Sequence, residues 1–214
     1  MSRMMAARLL LIGMLTLMAS GCATRQVQTL TSLPLPADQS LNCCWQALQQ
    51  LDITYDKSTY KLTGALAQTR GGVTLVLLDP FGRRLLSVNK QGETITSYRS
   101  PELPEGLPER FLLASSMLVW WPLADWQALL GSQKTGWQIT TNNSERVLTY
   151  GGKAVIRAQY TPNSAAIIDG MNKNTVVGQE PVILQHEHQA LSIHVVTQSL
   201  DAIEQAPSIK RPAQ

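Results

Sequence analysis

The sequence has few of the residues that catalysis and metal binding most often use. Only 15% of its 214 residues are charged, and it contains three histidines and three cysteines. It has no Gly-x-Ser-x-Gly motif, the signature of the nucleophile in α/β-hydrolases. Its acidic residues are scattered, without a spacing that identifies a pair of catalytic carboxylates. We therefore expect no enzyme activity and no cofactor.

Runs of positive charge and long apolar runs are also missing. The 18 basic residues nearly balance the 15 acidic ones, whereas binding to a nucleic-acid backbone depends on clustered positive charge. Beyond the first 21 residues no stretch is uniformly apolar over the roughly 20 residues that a transmembrane helix needs. We expect no nucleic-acid partner and no membrane-spanning segment.

The N-terminus has the three parts of an export signal. Arg3 and Arg8 are followed by an apolar run over 9–18 and by small residues at 19–21. This order is typical of a secretory signal peptide. The apolar run is too short to cross about 30 Å of hydrocarbon as a helix. Residues 1–21 are therefore predicted to be a signal peptide.

The end of this leader resembles the lipobox of bacterial lipoproteins. Small residues stand directly before Cys22, with Ala19 where the motif usually has leucine. The resemblance implies that Cys22 is acylated and holds the protein at a membrane, because each buried methylene contributes about 0.8 kcal/mol. Ala23 replaces the aspartate that commonly retains such proteins in the inner membrane, which implies delivery by the lipoprotein-sorting machinery to the periplasmic face of the outer membrane. The alternative is an ordinary signal peptide cleaved near Ala19.

Composition divides the rest of the chain into a tether, a domain and a tail. Residues 22–40 contain polar residues and two prolines without periodicity, which is typical of a flexible linker. Residues 41–205 are predicted to form a single domain and, by default, a monomer. Residues 206–214 have the composition of a disordered tail.

The two remaining cysteines, Cys43 and Cys44, are adjacent. Adjacent Cα atoms are about 3.8 Å apart, shorter than the usual disulfide range. We interpret both cysteines as apolar residues of a short amphipathic helix over 41–51, in which apolar residues recur at steps of three and four. A redox or intermolecular role is the alternative.

Strand-like segments make up most of the domain. The first group is predicted at 60–69, 73–79, 83–89 and 93–99, and the second at 136–141, 146–150, 153–161, 182–189 and 191–198. Two helices are predicted between the groups, at 108–121 and 122–130, because prolines suit first helical turns and Gly131 suits a cap. Residues 73–78 are apolar on both faces, so the sheet needs a cover of helices or of apolar ligand.

The histidines offer one candidate metal site. His186 and His188 lie on the same face of a predicted strand, a spacing that can hold a metal ion. No cysteine or acidic ligand is placed beside them by a motif, so a solvated strand face is the favoured interpretation. No metal is expected.

Two motifs resemble the outer-membrane lipoprotein receptor of the LolA/LolB-like fold. Residues 77–82, LLDPFG, are similar to its Leu-x-Asn-Pro-Leu-Gly hairpin, and residues 122–131, PLADWQALLG, resemble its helix ending in Trp-x-Leu-Gly. The resemblance implies a mainly β fold with helices (α+β), an unclosed antiparallel β-barrel whose concave apolar face the helices cover. It also implies that Phe81 protrudes and inserts into the membrane. The alternative is that Phe81 folds back into the core.

The chain is also similar to an uncharacterised family of outer-membrane lipoproteins often encoded beside aryl-polyene gene clusters. The resemblances imply an apolar cavity that binds an acyl or polyene lipid, or a lipoprotein's acyl chain, and delivers it to the membrane. The candidate lining residues are Leu62, Leu66, Leu75, Leu77, Phe111, Met117, Trp120, Trp121 and Trp126. The alternatives are a filled core in a structural accessory subunit of an envelope assembly and, last, an enzyme acting on lipid-linked material.

Overall fold

A computed structural model describes most of the predicted domain. The described residues are 33–38, 43–104, 107–132, 135–142, 144–161, 182–187 and 190–203. The chain divides into two units, 1–33 and 34–214, and the fold described below belongs to the second. Cys22, the signal peptide and the tail at 206–214 lie outside the described residues, so the statements about them stay predictions.

The second unit is built on one antiparallel sheet with two helices. The described strands are β1 (Trp45–Tyr55), β2 (Ser58–Thr69), β3 (Gly72–Leu78), β4 (Arg84–Gln91), β5 (Thr94–Arg99), β6 (Trp137–Asn142), β7 (Glu145–Tyr150), β8 (Lys153–Gln159), β9 (Val182–His186) and β10 (Leu191–Ala202). Helices α1 (Glu109–Trp120) and α2 (Leu123–Ser132) lie between β5 and β6 in the sequence. The predicted strands and helices between 58 and 202 are confirmed, with ends shifted by up to four residues.

The strand order explains why the sheet stays open. It runs β5-β4-β3-β2-β1-β10-β9-β8-β7-β6, so the first and last strands of the chain pair at the centre. β1 and β10 pair from Trp45 opposite Ala202 to Tyr55 opposite Leu191. Strands β5 and β6 are the edges, with no hydrogen-bonded pairing between them in the described part of the chain. The predicted class, a mainly antiparallel α+β fold with an unclosed sheet, is confirmed at this level.

The predicted helix over 41–51 is wrong, because this segment begins β1. Burial alternates along the strand, and Leu48, which a buried helix face would cover, is 42% exposed. An isolated helix of this length is marginally stable. β1 instead forms hydrogen bonds with β2 on one side and β10 on the other, so pairing between distant segments overrides the local helical spacing.

The interpretation of the two adjacent cysteines is also wrong. The structure joins Cys43 and Cys44 in a disulfide across a cis peptide bond, with their Cα atoms 3.0 Å apart. The argument against a mutual bridge used the Cα spacing of a trans peptide, which is longer. Both residues precede β1 and neither lies in a helix.

Part of the predicted tether belongs to the folded unit. The segment 34–38 packs along the sheet and buries Leu35. The carboxylate of Asp38 accepts a hydrogen bond of 2.6 Å from the Gly92 amide and pairs with the buried ammonium group of Lys90. The Asp38 carbonyl accepts a hydrogen bond of 2.7 Å from Gln68. These contacts hold residues 34–38 against the sheet.

Helix α1 lies on the concave face of the sheet and is buried on nearly all sides. Its buried residues are Phe111, Leu112, Leu113, Ala114, Ser115, Met117, Leu118, Val119 and Trp120. The helix begins after Pro108, whose missing N–H is no loss at that position. It ends at Trp121 before Pro122, while Gly131, predicted to terminate α2, lies inside that helix. An all-round apolar helix is typical of a position between two packed layers.

Candidate functional site

A small cavity lies between α1 and the sheet. Its volume is about 20 Å³, and its lining residues are Gln49, Leu51, Ile53, Leu75, Leu77, Leu112, Ser115, Ser116, Val119, Trp120, Leu184, Ile193 and Val195. They come from β1, β3, β9, β10 and α1. A cavity of this size holds about one water molecule. Its lining is apolar except for one amide and two hydroxyls.

Three of the nine predicted lining residues reach this cavity, namely Leu75, Leu77 and Trp120. The other six are buried in the surrounding core without lining it: Leu62, Leu66, Phe111, Met117, Trp121 and Trp126. The prediction missed Gln49, Leu51 and Ile53 because β1 was interpreted as a helix. The alternation of buried and exposed residues along β1 is the signal that identifies them.

Arg146 holds the C-terminal end of α1 against the sheet. This arginine of β7 is fully buried, and its Nη1 donates hydrogen bonds of 2.9 Å to the Leu118 carbonyl and 2.7 Å to the Trp121 carbonyl. The last carbonyls of a helix have no partner within the helix and carry partial negative charge. The last turn of α1 contains no basic residue, so β7 supplies the cation that this helix end lacks.

Tyr160 reinforces the same helix end. Its hydroxyl donates to the Leu118 carbonyl at 3.2 Å and lies 3.4 Å from the Val119 carbonyl. Burial raises the pKa of Tyr160 to about 12, and the nearby charge of Arg146 lowers it by less. The guanidinium carbon of Arg146 lies 5.7 Å from the Tyr160 ring centroid. The tyrosine is therefore a neutral donor at neutral pH.

A second arginine holds the N-terminal end of α1. Arg99, the last residue of β5, donates from Nη1 to the Leu107 carbonyl at 2.7 Å and from Nη2 to the Pro104 carbonyl. Nη1 also lies 3.4 Å from the carboxylate of Glu109 in the first helical turn. The two arginines come from opposite halves of the sheet. Helix α1 is thus fastened at each end by a cation and packed by apolar contact between them.

A tryptophan cluster closes the cavity beside the N-terminal segment. The ring of Trp45 lies 5.5 Å from that of Trp120 and 6.1 Å from that of Trp121. Trp45 donates a hydrogen bond of 2.8 Å to the Gln68 side chain, and Trp121 donates one of 3.0 Å to the Ala37 carbonyl. The indole N–H groups of Trp45 and Trp121 have acceptors, as buried tryptophans normally require, whereas the buried N–H of Trp120 has none among the described residues.

The loop between β3 and β4 presents Phe81 to solvent. The side chain is 88% exposed, so the alternative of folding back into the core is wrong. The Asp79 carboxylate accepts hydrogen bonds from the Phe81 amide at 2.9 Å, the Arg83 amide at 2.8 Å and the Arg83 guanidinium at 2.7 Å. Burial works to raise the pKa of Asp79, but these hydrogen bonds outweigh it and leave the pKa below its ordinary value. The loop is therefore held in shape while its aromatic tip stays uncovered.

The solvated-face interpretation is wrong for His186, because this residue is buried. Its ring packs edge-on against Phe111 of α1 at a centroid distance of 4.6 Å. His188 lies outside the described residues. Among the residues that the structure describes, no three His, Cys, Asp or Glu side chains come together as a metal site. The side chain of His186 therefore serves as part of the surface on which α1 rests.

Comparisons with known proteins place the sequence without giving it an activity. Within the described ranges, no helix has both the length and the apolar character that crossing a bilayer requires. A search of curated proteins finds no match. The profile of a family described as "Protein of unknown function (DUF3261)" matches residues 46–199, which spans β1 to β10 almost completely. The chain therefore belongs to the DUF3261 family.

Proposed function

We propose that this protein is a lipid carrier anchored to the outer membrane through an acylated Cys22. It binds an acyl or polyene chain, free or attached to a lipoprotein, between the sheet and α1 and passes that chain to the membrane. The observation that carries the proposal is the mainly apolar cavity beneath a single helix that is fastened at its two ends. The LolA/LolB-like arrangement implied by the sequence supports the same interpretation.

The cavity has room for only about one water molecule, so loading a lipid chain requires α1 to move. Displacing its C-terminal end breaks the two hydrogen bonds of Arg146. Hydrogen bonds to charged groups contribute about 1.5–3 kcal/mol each, so this release costs about 3–6 kcal/mol. A chain of about 15 methylenes gains about 12 kcal/mol when it leaves water, at about 0.8 kcal/mol per methylene. An entering lipid therefore offsets the cost of opening the cover.

Release needs no chemical step, because the bilayer is as apolar as the cavity. Moving the chain from one to the other changes little apolar surface in contact with water, so transfer is close to neutral in free energy. Phe81 is suited to make the contact, since its ring is exposed and its loop is held by Asp79. An aromatic ring at a protruding tip favours the membrane interface.

The test is native mass spectrometry of the leaderless protein, beginning after Cys22 and purified from its own host, followed by solvent extraction. A bound acyl or polyene species at one copy per chain supports the carrier and identifies its cargo. A lipid-free mass, together with no uptake of a neutral fluorescent acyl-ester probe, overturns the proposal.

One observation favours a second candidate, a structural accessory subunit with a filled core. The cavity volume of about 20 Å³ is far below that of a lipid chain. In this case α1 never opens, and the apolar interior serves stability alone. Hydrogen exchange distinguishes the two functions: a carrier exchanges the amides of α1 through local opening faster than it unfolds globally, whereas a filled core exchanges them only on global unfolding.

A further inference from the structure

The otherwise apolar cavity contains one polar side chain from the sheet. Gln49 of β1 is only 3% exposed, and it lines the cavity together with Ser115 and Ser116 of α1. The register shift in the pairing of β1 with β10 skips Gln198, so the bulge lies in β10, and Gln49 follows the regular alternation of β1 toward the buried face. Opposite Gln49 on β2 stands Gly64, which offers no side chain to pair with it.

Both serines already donate their hydroxyl hydrogens to backbone carbonyls of α1. Ser115 donates its hydroxyl hydrogen to the Phe111 carbonyl at 2.9 Å, and Ser116 donates to the Leu112 carbonyl at 3.1 Å. Each hydroxyl can still accept a hydrogen bond but has none left to donate. Donors for a ligand in this cavity can therefore come from the amide of Gln49 and from the indole N–H of Trp120, which has no partner among the described residues.

The amide of Gln49 is not satisfied by the part of the protein that the structure describes. No hydrogen bond joins its side chain to another described residue. Burying an amide without a partner costs about 1–3 kcal/mol, whereas a leucine of similar size costs nothing of this kind. Such a group, aimed into a cavity, is typical of a site where a ligand supplies the missing partner.

The lining also excludes charge. It contains no Lys, Arg, His, Asp or Glu, and the nearest fastening cations, Arg99 and Arg146, are occupied by carbonyls at the ends of α1. An ionised carboxylate buried here without a counter-charge costs several kcal/mol. A neutral carbonyl that accepts one hydrogen bond carries no such cost.

We infer that, given the proposed carrier function, the ligand is a neutral acyl ester or amide whose carbonyl oxygen accepts a hydrogen bond from Gln49. The hydrocarbon chain lies along the leucine and isoleucine side chains from β1 and β3, and the carbonyl end is fixed at Gln49. Ionised fatty acids are selected against. The cavity thus distinguishes lipids in which the acyl chain is already esterified or amidated from free acids at neutral pH.

The test compares methyl hexadecanoate, hexadecanoate at pH 8 and hexadecane as competitors of a neutral fluorescent probe, 1-aminoanthracene, on the mature chain. The variant is Gln49→Leu, which keeps the volume and removes the amide. The matched control is Gln50→Leu, the same substitution on the exposed face of β1, away from the cavity. Urea unfolding verifies that each variant is folded.

The expected result is that Gln49→Leu weakens methyl ester binding about 2- to 10-fold, the range that one hydrogen bond gives, and leaves hexadecane unchanged. The control should bind all three as the wild type does. Equal ester binding in wild type and Gln49→Leu, or hexadecanoate binding as tight as the ester, overturns this inference and leaves the carrier proposal standing. No displacement by any of the three overturns the carrier proposal itself.

Discussion

The guanidinium of Arg146 donates a hydrogen bond to the carbonyl of Leu118 at 2.9 Å, which connects β7 to the end of α1. The same group reaches the Trp121 carbonyl at 2.7 Å. Both acceptors are backbone carbonyls at the end of α1, so these hydrogen bonds form only when α1 lies against the sheet. Their presence therefore distinguishes the closed position of α1 from an open one.

Replacing Arg146 with methionine should weaken the attachment of α1 to the sheet. The variant keeps an apolar side chain of similar length but leaves two helix carbonyls without a donor, which should lower the free energy of unfolding by about 3 kcal/mol. Uptake of 1-aminoanthracene should become faster, because fewer hydrogen bonds are broken when α1 moves away from the sheet. Stopped-flow fluorescence and urea unfolding measure the two effects.

Arg146→Lys is the matched control for this prediction, since it keeps the charge but cannot engage two carbonyls with a planar fork. It should give intermediate stability and uptake. Unchanged uptake in Arg146→Met, at clearly reduced stability, would show that the opening of α1 does not limit loading.

Phe81→Ser should weaken membrane contact without affecting the fold. The side chain is exposed, so the free energy of unfolding should change by less than about 0.5 kcal/mol. Binding of the unacylated chain to phosphatidylethanolamine and phosphatidylglycerol vesicles should fall about 10-fold, as expected when one aromatic ring no longer leaves water. Leu48→Ser, at another exposed apolar position on the sheet, is the control and should not alter binding. An equal loss of vesicle binding in Phe81→Ser and Leu48→Ser would contradict the proposed role of Phe81 in membrane contact.

The loop that carries Phe81 should loosen only in acid. The pKa of Asp79 is below its ordinary value in the folded protein, so its carboxylate stabilises the loop above the unfolded pKa of about 3.9. That contribution is lost as the pH falls through the lower, folded pKa. Exchange of the Phe81 amide, followed by NMR between pH 6 and 3, should accelerate below about pH 4. Asp79→Asn should exchange faster throughout and show no such step, and an identical profile in both proteins would contradict the assignment.

The alkaline limit of stability should depend on Tyr160. Its pKa of about 12 in the folded protein exceeds the unfolded value of about 10. The raised pKa contributes stability that is present below pH 10 and is lost as the pH rises toward 12. Between pH 8 and pH 11, the free energy of unfolding in urea should decrease less in Tyr160→Phe than in the wild type. At pH 8, Tyr160→Phe should be about 1 kcal/mol less stable than the wild type. An equal decrease in the free energy of unfolding in the two proteins would show that a group other than Tyr160 titrates in this pH range.

Local sequence signals were sufficient for the elements whose structure depends on neighbours in the chain. Buried and half-buried residues alternate over 62–69, and prolines mark the starts of both helices, so these elements are predicted within a few residues. β1 was missed because Cys44, Leu48 and Leu51 follow a helical spacing by chance, whereas its pairing with β10 joins residues more than 130 positions apart in the chain.

The features that make the candidate site could not be read from local patterns. In the sequence, nothing distinguishes Arg146 from the other arginines of predicted strands, because its contact with the end of α1 depends on the fold. Gln49 becomes a cavity residue only because residues 45–55 form a strand, which turns this side chain to the buried face, and Asp38 meets Lys90 only because the N-terminal segment folds back along the sheet. Each depends on contacts between distant segments, which periodicity does not encode.

The most direct test of the central claim is photocrosslinking of the mature protein with a methyl hexadecanoate analogue that carries a diazirine near the chain end. Peptide mass mapping locates the adducts. The account predicts adducts on β3 and α1, at residues such as Leu75, Leu77 and Val119 that line the cavity, and predicts that an excess of unlabelled ester removes them. Adducts confined to exposed residues such as Phe81 or Leu48, unaffected by competitor, would contradict a lipid site beneath α1.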